Sequence, residues 1–190
     1  MSRRFASAVA KARPSPSNTS DVVKLTHLWG MPAWPARIYM ADYTTLAKTL
    51  LSLTDGETDP IALMATVACE VHHSDDRFDW TGFSRVTGPQ MLKIGPYQGG
   101  HGCLHIPFSR GVCGAAARTG EVQLVPDVDA FPGHIACASS TRSELVIPVY
   151  NSKKRLLGVL DIDSDQPDAF RQDDADALVA ILDDVFAAVP

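Results

Sequence analysis

The apolar residues of this chain repeat at helical spacing in three segments. In the first, from Tyr43 to Leu53, leucines recur every three or four residues, as in an amphipathic helix. The second follows Asp59, a common helix-capping residue, and Pro60, which is favoured at a first helical position. The third begins near Gln172 and carries an apolar stripe beside several aspartates. The pattern therefore predicts two helices in the first half of the chain and one at its end.

Between these helices the pattern changes to short runs that are bounded by turn residues. The first two runs are separated by Gly88-Pro89 and the last two by the polar residues 151–155, so each pair predicts a hairpin. A short helix that ends at Gly120 interrupts the series. The predicted strands are DWTGFSRV, MLKIGPY, EVQLVPDV, SELVIPVY and RLLGVLDIDS. Antiparallel strands covered by helices on one face make an α+β domain, which we predict for residues 42–190.

Composition and charge narrow the possible classes of function. The chain has 190 residues, of which 45% are hydrophobic and 21% charged, values typical of a globular protein that buries its own core. The net charge of −5, without a sustained basic stripe, argues against a nucleic-acid partner. No run approaches about 18 consecutive apolar residues, so we expect no membrane span. Four cysteines without an apolar signal region favour a reducing compartment, and we expect a cytoplasmic protein.

Residues 1–41 form an extension ahead of the predicted domain. Four basic residues and no acid precede Asp21, and serines are frequent in the same stretch. This composition is typical both of a disordered basic tail and of a mitochondrial transit peptide, and both interpretations stay open. The proline-rich part after Asp21 is predicted to dock on the domain surface through Trp29 and Trp34.

Three of the four cysteines lie beside glycine, histidine and small residues. These are Cys103, Cys113 and Cys137. Structural thiols are usually found in apolar runs and are inert, as we expect for Cys69 in the second helix. Exposed backbone amides in glycine-rich segments can stabilise a thiolate, so the trio predicts a redox or nucleophilic site. Because the gaps between the three cysteines are long, the fold has to bring their sulfur atoms within disulfide reach.

Six ordered motifs resemble the free methionine-(R)-sulfoxide reductases, which are enzymes built on a GAF domain. The motifs are WTGF at 80–83, IGPYQG at 94–99, GVCGAAA at 111–117, DVDAFPGHIAC at 127–137, SELVIP at 143–148 and GVLDIDS at 158–164. The resemblance implies a GAF domain over residues 42–190, with an antiparallel sheet, helices packed on one face and the cysteine-rich segment over a pocket. The chain departs from the family at Ser84, where tyrosine is frequent, and at Ala138, where aspartate is common.

The resemblance also implies catalytic roles for the three cysteines. We assign Cys137 as the nucleophile and Cys103 as the first choice for the resolving cysteine. Cys113 lies near the start of the short helix, where the helix dipole lowers a thiol pKa. Cys113 therefore stays open as a second resolving residue or as the nucleophile.

Three acids and one tryptophan resemble the family's substrate pocket. Asp161 and Asp163 alternate on one predicted strand, so both point to the same face and would bind a cation such as the α-ammonium of a free amino acid. Glu144 is expected to hold the sulfoxide oxygen or to supply its proton. Trp80 is expected to form an apolar wall against the S-methyl group, with a core tryptophan as the alternative. His134 can orient its loop or tune Cys137, but the favoured interpretation is a satisfied structural histidine.

The implied reaction is the thiol-dependent reduction of free methionine-(R)-sulfoxide. It passes through a cysteine sulfenic acid and an intramolecular disulfide, which NADPH-linked thioredoxin reduces. We expect no bound cofactor or metal, and a homodimer stays open. One alternative is a GAF sensor that binds a small ligand without catalysis, and another is a redox-regulated interaction protein. A third is a metal protein with ligands drawn from Cys103, His105, Cys113, His134 and Cys137, although these gaps are longer than structural zinc sites favour.

Overall fold

The computed structural model describes residues 41–190. The predictions for the first forty residues, namely the basic tail, the transit peptide and the docking tryptophans, lie outside the described residues. The elements in chain order are α1 (Tyr43–Leu53), α2 (Pro60–His72), β1 (Trp80–Gly88), β2 (Met91–Gln98), β3 (His105–Pro107), α3 (Gly111–Thr119), β4 (Gln123–Val125), a 3₁₀ turn (Val128–Ala130), β5 (Ser143–Tyr150), β6 (Leu156–Ser164) and α4 (Gln172–Val185). None of the helices in this range combines the length and the hydropathy that crossing a membrane would need.

The helix ends follow from local sequence. The Asp42 side chain accepts a hydrogen bond from the Thr45 backbone N–H at 3.1 Å, which caps α1. Asp59 caps α2 in the same way, with Pro60 at the first helical position as predicted. Gly120 ends α3 with φ at 73°, a left-handed conformation in which glycine carries no Cβ penalty. The predicted helices are therefore confirmed, together with both bounds of α1, the starts of α2 and α4, and the end of α3.

The six strands form one antiparallel sheet in the order β3-β2-β1-β6-β5-β4. Both predicted hairpins are present, as β1–β2 and β5–β6. The β5–β6 loop closes through a backbone hydrogen bond from Asn151 to the Arg155 carbonyl at 3.0 Å. Strand β3 was not predicted, because its three residues follow a run of glycines and histidines without an alternating pattern. β4, also of three residues, was predicted as part of the longer run EVQLVPDV. β3 forms one edge of the sheet, next to the cysteine-rich segment.

The two faces of the sheet carry different kinds of core. One face packs against α1, α2 and α4, and its strand residues are large and fully buried: Phe83, Leu145, Ile147, Leu160 and Ile162. The other face packs against α3 through smaller residues that include Val146, Val159, Ala116 and Ala117. Because side chains alternate along a strand, β5 and β6 supply both faces at once. The predicted arrangement is confirmed: helices cover one face, and the cysteine-rich segment with its short helix covers the other.

A buried ionic network ties α1 to α4 on the helix-covered side. The Tyr43 hydroxyl donates to Asp174 at 2.6 Å. The Arg77 guanidinium donates to Asp75 at 2.8 Å and to Asp174 at 2.9 Å. Asp174 also accepts from the Arg171 backbone N–H at 2.8 Å, at the start of α4. Every charge in this network is matched by an opposite charge or by a donor.

Candidate active site

Cys103 and Cys137 form a disulfide although 34 residues separate them, and their Cα atoms lie 5.2 Å apart. Cys103 lies in the segment between β2 and β3, and Cys137 lies between the 3₁₀ turn and β5. The predicted convergence of two cysteines thus occurs across two separate loops. Both residues are half-buried, so the disulfide lies near the protein surface.

Cys113 lies deeper in the same region, as a free thiol on α3 that is only 4% exposed. Its Sγ donates a hydrogen bond to Asp161 Oδ2 at 3.0 Å. Burial raises the pKa of Cys113 well above its ordinary value, and the charges of Asp161 and Glu144 raise it further. The lowering expected from the helix start is therefore outweighed. Cys69 is the other free thiol, and it lies half-buried on α2 rather than fully in the core.

Three carboxylates converge on the sheet face that α3 covers. Glu144 on β5 lies directly opposite Asp163 on β6, and Asp161 points the same way two residues earlier. One oxygen from each of the three lies within 4.8 Å of the others. Glu144 and Asp163 are only 8% and 9% exposed. The predicted common face of Asp161 and Asp163 is thus observed, and the neighbouring strand adds Glu144.

Burial and mutual repulsion shift all three acids in the same direction. Burial, and then the charge of Asp163, raise the pKa of Glu144 to about 8. Burial, and then the charge of Glu144, raise the pKa of Asp161 to about 8. Burial, and then the charge of Asp161, raise the pKa of Asp163 well above its ordinary value. Within residues 41–190, the buried Oδ1 atoms of Asp161 and Asp163 have no hydrogen-bond partner. Two acceptors are thus available for a cationic ligand.

His134 contacts the acid cluster from the loop that carries Cys137. Its Nε2 lies 3.2 Å from Glu144 Oε1. The ring therefore reaches Glu144, and the backbone N–H of His134 donates to the Phe131 carbonyl at 3.1 Å. Sequence reasoning linked His134 to Cys137 through their proximity in the chain, but the contact with Glu144 depends on how the loop folds over β5.

Trp80 stands beside the acids because β1 pairs with β6, which places it opposite Asp163. Its indole N–H donates to the Gly100 carbonyl at 3.0 Å, and its ring stacks on Tyr97 with centroids 5.4 Å apart. A Cβ atom at Gly82 or Gly99 would come within 3.0 Å of the indole. These glycines make room for the tryptophan, a role that their positions in the motifs did not reveal.

Two adjoining clefts, with about 340 and 330 Å³ of empty space including their openings to solvent, join these groups. Both clefts are lined by Ile106, Cys137, Ala138, Asp161 and Asp163. The first extends to Cys113, His134 and Glu144, and the second to Trp80 and Cys103. All seven predicted site residues therefore line one continuous region. Sequence reasoning missed the contributions of Ile106, Ile135 and Thr141, since a single apolar or hydroxyl residue carries no distinguishing pattern.

The same geometry bears on metal binding. Within residues 41–190, the fold brings three potential metal ligands close together, namely Glu144, Asp161 and Asp163. The alternative set of cysteines and histidines is not gathered, because Cys103 is bonded to Cys137 and His134 contacts Glu144. An all-carboxylate set without thiolate or imidazole is unlike a structural zinc site.

Comparison with known proteins agrees with this geometry. Residues 57–189 match the GAF domain family. The free methionine-R-sulfoxide reductase of Escherichia coli is 36% identical over 148 residues, which cover 76% of this chain and 88% of that protein. The enzyme of the same name from Saccharomyces cerevisiae is 39% identical over 127 residues, covering 62% of this chain and 71% of that protein. The crystal structure of the Neisseria meningitidis free methionine-R-sulfoxide reductase in complex with its substrate superposes with a TM-score of 0.71, at 38% identity, over 75% of this chain and 85% of that one. This chain belongs to the GAF-domain family of free methionine-R-sulfoxide reductases.

Proposed function

We propose that this protein reduces free methionine-(R)-sulfoxide to methionine with a cysteine thiol. The observation that carries the proposal is the Cys103–Cys137 pair beside a cleft that also holds three crowded acids, Glu144, Asp161 and Asp163, two of whose buried oxygens have no hydrogen-bond partner within residues 41–190. A disulfide supports two-electron chemistry, and the carboxylates suit a small cationic substrate. The names of the Escherichia coli and Saccharomyces cerevisiae relatives support the choice of substrate.

Asp161 and Asp163 bind the α-ammonium of the substrate. Their Oδ1 atoms, which have no partner within residues 41–190, accept hydrogen bonds from the cation. Burial and mutual repulsion raise the pKa values of both acids in the free protein, and the positive charge of the ammonium lowers them again, so both bind it as carboxylates. A methionine sulfoxide within a polypeptide has a neutral amide at this position and gains nothing from the acids. The Trp80 indole packs against the S-methyl group, since sulfur and methyl groups pack well on aromatic rings.

Cys137 is the nucleophile, and the environment of Cys113 supports this choice. A thiolate is the reactive form of cysteine, but burial and the nearby acids keep Cys113 protonated and bonded to Asp161. The Cys137 thiolate attacks the sulfoxide sulfur. The oxygen passes to Cys137 as a sulfenic acid, and methionine leaves. Cys103 then condenses with the sulfenic acid, which releases water and forms the disulfide.

Glu144 supplies the proton that the sulfoxide oxygen needs. With a pKa of about 8, this carboxyl is protonated at neutral pH, when an ordinary glutamate would be ionised. Its Oε1 lies 3.2 Å from His134 Nε2, which orients the carboxyl group toward the cleft that Cys137 lines. The chain has Ala138 directly after Cys137, so the proton comes from the strand and not from the loop.

An external dithiol completes the cycle by reducing the disulfide. We assign this step to thioredoxin, which NADPH keeps reduced, and we assign no bound cofactor to the protein. The cycle requires a compartment in which disulfides are reduced, such as the cytoplasm.

The test is a single-turnover assay on the reduced protein with each epimer of free methionine sulfoxide. The wild type should release about one equivalent of methionine from the R epimer and form the disulfide. Cys103→Ser should release the same equivalent without forming a disulfide, and Cys113→Ser should retain turnover. Cys137→Ser should release none; one equivalent from this variant would move the nucleophile to another cysteine.

The same assay separates catalysis from the sensor alternative. A GAF sensor would bind its ligand without releasing methionine from any variant. Absence of methionine from the reduced wild type, in the presence of excess dithiothreitol, would therefore favour the sensor.

A further inference from the structure

The rim of the cleft beside Cys103 carries an unusual apolar side chain. Leu104 is 66% exposed, more than the other large hydrophobic side chains that are exposed within residues 41–190. It is also held in place, because its carbonyl accepts a hydrogen bond from the Ile94 backbone N–H at 3.2 Å. A rigid, exposed leucine next to a disulfide is a candidate contact for another protein.

The backbone around Leu104 offers a second means of contact. β3 is an edge strand of the sheet that residues 41–190 form, so within this range one row of its N–H and C=O groups has no neighbouring strand. In an antiparallel ladder these groups alternate in direction, and the Leu104 carbonyl points inward to β2. His105, the first residue of β3, therefore directs its backbone N–H and C=O groups outward. An extended segment of a partner can pair with them while it lies beside the Cys103 sulfur.

The charged residues near β3 indicate which kind of partner this surface would bind. The whole chain has a net charge of −5, but residues 80–120 contain four basic residues and no aspartate or glutamate. Lys93 is exposed and pairs with His105 across β2 and β3. Arg118, also exposed, donates to the carbonyl of Phe108, just after β3 ends. Beside residues 101–105, hereafter the edge segment, the exposed side chains Lys93 and Arg118 are thus basic and favour an acidic partner, whereas the acids that share a cleft with Cys103 are Asp161 and the buried Asp163.

We infer that the edge segment is the docking surface for an acidic protein dithiol, which attacks the Cys103 sulfur. The inference rests on the proposed function, because that function requires the disulfide to be reduced in every cycle. Leu104 supplies the apolar contact, the outward backbone groups supply hydrogen bonds, and the basic surroundings speed the encounter.

The chemistry of the step is balanced by the two thiols of the partner. The partner's thiolate attacks Cys103 Sγ, the Cys103–Cys137 bond breaks, and its electron pair leaves on Cys137. The partner's second thiol then attacks the mixed disulfide, releases Cys103 and leaves the partner oxidised by two electrons. The two protons from the partner's thiols pass to the two cysteines. Attack at Cys103 frees Cys137, the proposed nucleophile, in the first of these steps.

The first experiment compares two reductants in steady-state turnover of free methionine-(R)-sulfoxide. Leu104→Asp should raise the KM for an acidic thioredoxin at least about tenfold, because a carboxylate replaces the apolar contact on a surface that must meet an acidic partner. With dithiothreitol its rate should stay within about twofold of wild type. Leu53→Asp is the matched control, because Leu53 is 58% exposed at the end of α1, far along the chain from the disulfide. It should change neither rate.

If Leu104→Asp left the KM for thioredoxin unchanged, the proposed docking surface would be wrong. It would also be wrong if the turnover rates with thioredoxin and with dithiothreitol fell by the same factor. The dithiothreitol rate of the wild type tests the proposed function separately, since it needs no protein partner.

The second experiment traps the mixed disulfide with a thioredoxin whose second active-site cysteine is replaced by serine. Peptide mapping should find thioredoxin on Cys103, and a bond to Cys137 would overturn the assignment.

Discussion

Two groups of buried acids in this protein have opposite surroundings. On the helix-covered side of the sheet, Asp75 and Asp174 share the Arg77 guanidinium, and Tyr43 donates a further hydrogen bond. On the opposite side, Glu144, Asp161 and Asp163 crowd together, and His134 is the basic residue in contact with them among the described residues. The first group is internally compensated, whereas the second leaves buried acceptors without partners.

The difference appears in the direction of the pKa shifts. Burial raises the pKa of Asp174, but hydrogen bonds from Arg77, Tyr43 and the Arg171 backbone outweigh it and lower the pKa below its ordinary value. At Glu144 the contact with His134 does not offset burial and the charge of Asp163, so its pKa rises to about 8. Structural charges are buried together with their partners, whereas the charges of a binding site stay destabilised until a ligand binds. The contrast supports a functional interpretation of the second group that does not depend on the relatives.

The largest expected effect concerns the compensated network. Arg77→Ala leaves Asp75 and Asp174 buried without a cation, which should lower the free energy of unfolding by about 3–5 kcal/mol. The activity of the remaining folded protein should stay within about threefold of wild type, since the network lies away from the cleft. Urea titration followed by an activity assay measures both. Arg155→Ala, at an exposed arginine, is the control. If both variants changed the free energy of unfolding by an equally small amount, the proposed contrast between the two groups of acids would be contradicted.

Glu144→Gln should have the next largest effect, which we expect on catalysis and not on folding. Loss of a general acid should lower kcat about a hundredfold, because an amide cannot protonate the departing oxygen. In the wild type, kcat/KM, measured at substrate concentrations below KM, should fall as the pH rises through about 8, where Glu144 of the free protein loses its proton. Single-turnover methionine release from pH 6 to 9.5 follows this directly. Exposed Glu121→Gln should behave as wild type, and a retained kcat in Glu144→Gln would assign the proton to another group.

Asp161→Asn should act mainly on substrate binding. Removing one carboxylate from the ammonium site should raise KM about tenfold to a hundredfold with a smaller change in kcat. Steady-state kinetics with dithiothreitol gives both constants, and Asp165→Asn at a neighbouring exposed acid is the control. A loss confined to kcat would instead place Asp161 in proton transfer.

The smallest expected effect is a pH dependence of stability that differs between the two groups. Asp161 has a folded pKa of about 8, above its unfolded value, so the folded state binds more protons between about pH 4 and 8. Its contribution is full at low pH and is lost as the pH rises to about 8. Asp174 has a lowered pKa and contributes the opposite way, with stability that is lost as the pH falls below about 4.

Melting temperatures of the ligand-free protein should therefore decline by a few degrees from pH 5.5 to pH 8.5. Asp161→Asn should flatten this decline and be at least as stable as wild type at pH 8.5, because a neutral amide replaces a buried charge. A melting temperature of the wild type that rises over this interval would show that the acids are compensated in solution.

Local patterns were sufficient for much of the fold. Leucine spacing and the Asp59-Pro60 start defined α1 and α2, and alternation placed Asp161 and Asp163 on one face of β6. Strand β3 escaped prediction because its three residues pair with β2 only once the sheet has formed. The sense of the Cys113 pKa shift was also wrong from sequence, since the helix start is local but its burial against Asp161 is not.

By itself, the sequence determined the helices, most of the strands and the chemical types of the site residues, because caps, turns and periodicity act over a few neighbouring residues. Only the tertiary structure decided that Glu144 faces Asp163, that His134 contacts Glu144, and that Cys103 bonds Cys137 across a sequence separation of 34. Strand order, register and loop packing set those distances, and they depend on burial summed over the whole domain.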